Sequence, residues 1–340
     1  MHRAEPASEE VPNVFQVFIL VIYSSMIHWT RLIFGGLVLP FVFPLLVYNL
    51  YRSHFKNKIF RNRSLEDKVV LITGASSGIG EALAHAFHKA GTRVILSARR
   101  RDALEKVKKA LMEMYPSKNV PAVLVLDLSD LKTIPDKAKE ALDIYGHIDI
   151  LVNNGGISYR GAITDTVLDV DLRVMFTNYF GPIALTKAIL PSMLDRNSGC
   201  ILAISSIQGK IAIPFRSAYS SSKHATQAFF DTLKSELSHT NVHVCVVSPG
   251  YVQTNLSLNA VTAEGKQYGV MDQTTANGMD PNEAAESIII ATEAQQSELV
   301  LAGLLPKIAI MIRVICPWLY FYLMGGRARR IRASNTIKQE

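Results

Sequence analysis

Apolar and polar positions divide the chain into three regimes. Between Val14 and Leu50 apolar residues run almost unbroken; Arg31 is the single charged side chain there, and residues 32–50 are 19 positions without a formal charge. From residue 68 to residue 301 short β-branched runs alternate with longer amphipathic stretches. The run at 68–73 is followed by a helical pattern over 78–90 that Gly91 closes, which reads as strand, glycine turn and helix. The rhythm recurs, predicting strands at 93–97, 122–126, 148–152, 200–204, 242–247 and 299–301. Strand–helix alternation predicts a parallel sheet covered on both faces, in one α/β domain over residues 65–303. In the third regime, residues 304–324 mix Leu, Ile, Trp318, Tyr320 and Phe321 with Lys307 and Arg313, and the chain turns basic from Arg327.

The first regime predicts a membrane anchor at 14–50, between a polar N-terminus (1–13) and a basic linker (51–64). One crossing takes about 20 residues, so the stretch is too long for a single helix. It divides as one span near 32–50 plus an interfacial piece around Trp29, or as a tight hairpin. A cleaved signal peptide is the competing reading; it would have a shorter apolar part and small residues at the cut, whereas this stretch ends Tyr48-Asn49-Leu50-Tyr51. Lys and Arg crowd the far side, while Glu5, Glu9 and Glu10 offset Arg3 on the near side, so the positive-inside rule expects the domain in the cytosol. The sequons at Asn62 and Asn255 would be acceptors only in a lumen.

Composition adds little beyond this. Of 340 residues, 49% are apolar and 19% charged, which suits a packed core rather than a disordered chain. The net charge of +7 gathers at residues 52–63 and 327–332, directly after apolar stretches, a pattern that favours membrane lipids over nucleic acid as partner. Cys200, Cys245 and Cys316 lie far apart without ligand-like spacing, so free thiols are expected and no metal site.

Candidate chemistry sits at strand ends. Gly74, Ser76, Ser77, Gly78, Ile79 and Gly80 lie between the first strand and its helix, where small residues let backbone amides and a helix N-terminus meet a pyrophosphate. The second strand ends Ser97-Ala98-Arg99-Arg100, without the acid that grips the ribose 2′-hydroxyl of NAD. Arg99, with Ser97, suits a 2′-phosphate instead, so NADP(H) is preferred. Asp127 ends the third strand, either accepting from an adenine amine or capping the next helix. Ser206 follows another strand, and Tyr219 and Lys223 share a helix face thirteen residues further on. A nearby ammonium and the positive nicotinamide ring favour an ionised tyrosine, which is what acid–base work near neutral pH needs. Lys223 supplies the ammonium and a hold on the nicotinamide ribose; Ser206 donates to a carbonyl oxygen as charge develops.

With Asn153-Asn154-Gly155-Gly156, Asn178 and Pro249-Gly250-Tyr251-Val252-Gln253-Thr254 in the same order, residues 68–302 resemble the short-chain dehydrogenase/reductase family. The resemblance implies a doubly wound, Rossmann-type parallel sheet of about seven strands, with Ser206, Tyr219 and Lys223 catalytic, Ser206 and Tyr219 meeting the substrate, and Asn178 holding a proton-relay water. It places Asn154 and Gly155 beside the cofactor, Asn154 holding the sheet there, and brings Pro249, Gly250, Val252 and Thr254 to the nicotinamide or its phosphates. Gly155 stands where the family usually has alanine; the lost methyl adds local backbone freedom of about 0.5–1 kcal/mol. Residues 155–160, 177–185, 205–209, 213–230 and 248–271, with the apolar N-terminus, further resemble a subgroup associated with endoplasmic reticulum or peroxisomal membranes. For that subgroup a lipophilic substrate is expected: a lipid ketone such as an acyl- or alkyl-dihydroxyacetone phosphate, a steroid or a retinoid. Homo-oligomers are common in the family.

The polar stretch from Thr254 to Pro281, with Tyr251, Tyr268 and Met271, is expected to form a substrate lid. The 304–340 tail reads as a surface-lying membrane helix or as a segment docked on the domain or a partner; Pro306 and Pro317 argue against a continuous span. Two functions compete: a carbonyl reductase, which the Ser206–Tyr219–Lys223 set favours, and a catalytically silent NADP(H)-binding membrane scaffold or regulatory interaction protein.

Overall fold

The computed structural model describes residues 14–32, 35–36, 44, 47 and 64–336. The chain divides into two compact units, Met1–Ile59 and Phe60–Glu340. In the first, Val14–Leu32 is an α-helix of 19 residues. Among the described residues no helix is long and apolar enough to cross a membrane. The expected span at 32–50 lies almost wholly outside the described residues, as do the polar N-terminus and the linker.

The described residues of the second unit form nine strands: β1 Val69–Thr73, β2 Arg93–Ala98, β3 Ala122–Val125, β4 Ile150–Asn153, β5 Tyr159–Arg160, β6 Gly199–Ile204, β7 Val242–Pro249, β8 Val261–Thr262 and β9 Glu298–Leu301. Seven form one parallel sheet in the order β3-β2-β1-β4-β6-β7-β9, and each coincides within two residues with a run predicted from the sequence. The strands are apolar throughout because both faces are covered. Val70, Ile72, Val94, Leu96, Leu202 and Ile204 face one core, completed by helices Gly78–Lys89, Arg101–Met114 and Pro281–Glu293. Their neighbours Val69, Leu71, Ile95, Ile201, Ala203 and Val244 face the other, against helices Ile134–Tyr145, Gly181–Asp195 and Ser217–Glu236. This two-sided burial, about 1.5–3 kcal/mol per fully buried large side chain, fixes strand register, because a one-residue slip exchanges the two cores.

From β1 the chain steps outward to β2 and β3, then returns to place β4 on the other side of β1. The loops leaving β1 and β4 therefore part in opposite directions and open a crevice at the strand ends. Two features had no signal in the sequence pattern. β5 and β8 pair in a small separate sheet beside the crevice, and Phe176–Phe180 forms a π-helical turn between two α-helices. The tail folds as two helices, Leu304–Ile315 and Pro317–Thr336, broken at Cys316, where the following proline disfavours helical backbone. Pro306 sits in a first turn, where its missing N–H costs nothing. The three cysteines are free thiols.

Candidate active site

Every turn at the crevice has a steric reason for its residues. Gly74 and Gly78 have φ of +67° and +60°, the left-handed region that favours glycine. A Cβ on Gly80 would stand 2.2 Å from the Gly74 carbonyl oxygen and 2.5 Å from Asn154 Nδ2, so the first helix packs this close to β1 only with glycine there. Gly80→Ala is expected to destabilise the domain by about 1–3 kcal/mol, read as a fall in thermal midpoint. An unchanged midpoint would show that the contact has room to relax.

Asn154 ties β4 to β1. Its Nδ2 donates to the Thr73 carbonyl at 2.9 Å, while Thr73 Oγ1 accepts from the backbone amides of Asn154 and Gly155, each at 3.0 Å. At Gly155 a Cβ would meet Leu128 Cδ1 at 2.6 Å, so leucine occupies the place of the alanine methyl that this chain lacks.

These turns border a cleft of about 540 Å³. Gly74, Ser76, Ser77, Gly78 and Ile79 line it with Ser97, Arg99 and Asp127 at the end beneath β1, β2 and β3, Ser206, Tyr219 and Lys223 at the other end, beneath β6, and Asn154, Gly155, Pro249, Gly250, Val252 and Thr254 line it as well. Gly80 and Asn178 lie behind the wall. Ser77, the N-cap of its helix, lines the cleft and its side chain makes no capping bond, which leaves the first helix amides without a side-chain partner from it. Ser97 is 1% exposed with its hydroxyl unpaired, a buried polar atom at the strand end where a dinucleotide's ribose belongs. These residues fit a dinucleotide. Asp127 does not cap the next helix, whose N-cap is Thr133; its Oδ1 accepts from the amide and hydroxyl of Ser129 at 2.9 and 2.7 Å.

At the other end, the Ser206 hydroxyl accepts from the Gln208 amide at 3.1 Å, lies 3.5 Å from the Pro249 carbonyl and shares a hydrogen bond with Tyr219. Tyr219 and Lys223 are buried one turn apart, with Nζ 5.7 Å from the ring centroid and donating to the Ile204 carbonyl at 2.9 Å. Burial pushes the Tyr219 phenol up; a hydrogen bond with Ser206 and the Arg160 guanidinium draw it back. Burial pulls Lys223 down to about 8. Asn178, in the π-helical turn, is fully engaged: Oδ1 accepts from the Ile157 amide at 2.8 Å, and Nδ2 donates to the Ile157 carbonyl at 2.9 Å and to Ser222 Oγ at 3.0 Å. Its side chain thus joins the loop after β4 to the Tyr219 helix.

The sequence reading missed the charge cluster on the substrate side. Arg160 Nε and Nη2 donate to Asp272 Oδ2 at 2.9 and 2.6 Å, and Arg216 Nη2 donates to the same oxygen at 3.2 Å. Two guanidiniums on one carboxylate leave a net positive charge near Tyr219, and burial followed by Arg160 lowers Arg216 to about 10. Asp272 belongs to the polar stretch after Thr254, so the cluster also fastens that stretch over the cleft, with Tyr268 5.7 Å from the Arg160 guanidinium. No local signal marks it, because its members stand 56 and 112 residues apart.

The family described as short chain dehydrogenase matches residues 68–265. A dehydrogenase/reductase SDR family protein 7-like of Drosophila melanogaster is 49% identical over 320 residues, covering 93% of this chain and 95% of that protein. The dehydrogenase/reductase SDR family member 7B of Bos taurus is 48% identical over 307 residues, covering 89% and 91%. Among solved structures, a short-chain dehydrogenase from Streptomyces avermitilis superposes with TM-score 0.62 at 33% identity, covering 80% of this chain and 96% of that one. An alcohol dehydrogenase from Thermococcus sibiricus, complexed with 5-hydroxy-NADP, does so with TM-score 0.59 at 28% identity, covering 69% and 96%. A short chain dehydrogenase/reductase from Burkholderia phymatum in complex with NAD shares the fold, with TM-score 0.68 at 20% identity, covering 76% and 96%. Sheet order, glycine turn and sequence agree, and the chain belongs to the short-chain dehydrogenase/reductase family of oxidoreductases.

Proposed function

We propose that the protein reduces the carbonyl of a lipophilic substrate, a lipid ketone, steroid or retinoid, with NADPH. The observation that carries this reading is the burial of Ser206, Tyr219 and Lys223 together at one end of a cleft whose other end fits a dinucleotide. The chemistry the cofactor supplies when bound is hydride transfer. The chain's own residues do the rest. The Ser206 hydroxyl, oriented by the Gln208 amide from which it accepts, donates a hydrogen bond to the carbonyl oxygen. Tyr219, kept as a neutral phenol by burial and drawn only partly back by Ser206 and Arg160, protonates that oxygen as it becomes an alkoxide. Lys223, held by the Ile204 carbonyl, keeps a cation beside the tyrosine and reaches the nicotinamide ribose. Asn178 holds the Ile157 loop against the catalytic helix, so that its role is to position Tyr219 and Lys223.

The preference for NADPH rests on Arg99 and the missing acid after β2. Reduction follows from that preference, since NADP(H) pools are kept reduced. The apolar stretch at 14–50 and its basic flank support an anchor in the endoplasmic reticulum or peroxisomal membrane, with the domain in the cytosol. Arg99→Asp is expected to raise the KM for NADPH by about tenfold to a hundredfold and to lower that for NADH, because a paired charge becomes a repulsive one. Equal KM ratios for the two cofactors in wild type and variant would remove Arg99 from recognition.

A further inference from the structure

The catalytic sheet is complete at β9, yet two further helices follow. In the first, Leu304, Ile308, Met311 and Ile315 recur at helical spacing and all four are exposed, Leu304 and Ile315 by 73% and 74%. The second opens with Trp318, Phe321 and Tyr322, exposed by 73%, 58% and 69%. An apolar and aromatic face of this size left in water is unusual unless something covers it. The charges on the same segment are one-sided: Lys307, Arg313, Arg327, Arg329, Arg330 and Arg332, with no Asp or Glu between residues 304 and 336.

The pair is fixed to the domain by its other side. Tyr320 is 2% exposed and donates its hydroxyl proton to the Ala212 carbonyl. Arg327 Nη2 donates to the Tyr251 hydroxyl at 3.1 Å, and Arg332 lies 6.0 Å from the Phe215 ring. Tyr251 lines the cleft, and Phe215 immediately precedes the Arg216 of the charge cluster. The inner side thus grips the rim of the active site while the outer side presents apolar, aromatic and cationic groups.

We propose that this outer face docks on an anionic lipid surface beside the mouth of the cleft, so that a lipophilic substrate enters from the bilayer. Aromatic side chains favour the headgroup boundary, and basic ones favour an anionic leaflet. A second copy of the chain would bring cations against cations, and the uncharged 32–50 stretch would cover the apolar stripe while leaving the arginines without counter-charge. The route of entry rests on the lipophilic-substrate reading; the docking rests on the tail's own residues.

The chain has two tryptophans, Trp29 and Trp318, so full-length protein carrying Trp29→Phe reports from Trp318 alone. It is reconstituted in phosphatidylcholine vesicles with and without phosphatidylserine. Trp318 emission is expected to shift to shorter wavelength, and to be quenched by bromine-bearing acyl chains, when phosphatidylserine is present. Arg329→Gln with Arg330→Gln should reverse the docked fraction by about fivefold per charge, with NADPH turnover in detergent unchanged. Water-like, unquenched emission in both vesicles would overturn the proposal. So would equal quenching in both, short-wavelength emission without quenching, which the 32–50 stretch would produce, or a shift that grows with protein concentration, which a second copy would produce. Trp318 emission and quenching report docking without turnover, so failure of docking and failure of the lipid-ketone reading register separately.

Discussion

Tyr219→Phe is expected to lower NADPH-dependent turnover by about a thousandfold while leaving NADPH affinity and folding unchanged. The change removes one oxygen. The ring keeps its place among Val170, Val174, Ala218 and Val261, so no cavity opens and no backbone bond is lost. The hydroxyl lost is the group that hydrogen-bonds with Ser206, and among the described residues the other phenol lining the cleft, Tyr251, accepts from Arg327 instead. Steady-state rates paired with a fluorescence titration of NADPH check both halves. Turnover close to wild type would take Tyr219 out of the chemistry; lost cofactor binding would make it structural.

Lys223→Met is expected to abolish turnover to a similar degree and yet to stabilise the folded protein at neutral pH. The Lys223 ammonium is buried, which lowers its pKa from the ordinary lysine range to about 8. The unfolded chain holds that proton up to about 10.4. Below pH 8 both states carry it, and the folded state bears the cost of an ill-solvated charge. Between about 8 and 10.4 the unfolded state binds more protons, so wild-type stability rises with pH across that window. Methionine fills the same channel without charge, so its advantage is largest at pH 7 and shrinks as pH climbs. Thermal unfolding of both proteins over that range tests the sign. A wild type that loses stability from pH 8 to 10 relative to the variant would mean that the ammonium is better solvated than its burial implies.

The sheet was legible because buried parallel strands leave continuous β-branched runs, and because glycine and proline mark where they stop. The same property hid β5 and β8, whose two-residue pairing is too short to leave a period. Site residues at strand ends were legible for a topological reason: loops leaving neighbouring parallel strands on the same edge must meet. What joins distant loops was not. Arg160, Arg216 and Asp272 carry no spacing signal, and their cluster changes the account of Tyr219, since the cation that draws its phenol down is Arg160, while the lysine that the sequence singled out lies 5.7 Å from its ring. Asp127 illustrates a half-resolved choice: helix capping is excluded by Thr133, while the carboxylate still lines the cleft where an adenine belongs. Pro317 correctly announced the break in the tail, but only the packing of Tyr320 and Arg327 shows that the tail reaches the active-site rim.

The most direct measurement is NADPH consumption by detergent-solubilised wild type across lipid ketones, steroids, retinal and short-chain carbonyls, with the alcohol product quantified. One alcohol formed per NADPH consumed, with a lipophilic carbonyl preferred and the activity lost in Tyr219→Phe, is the predicted result. Tight NADPH binding with no alcohol from any carbonyl would contradict the reductase and leave a cofactor-bound scaffold in its place.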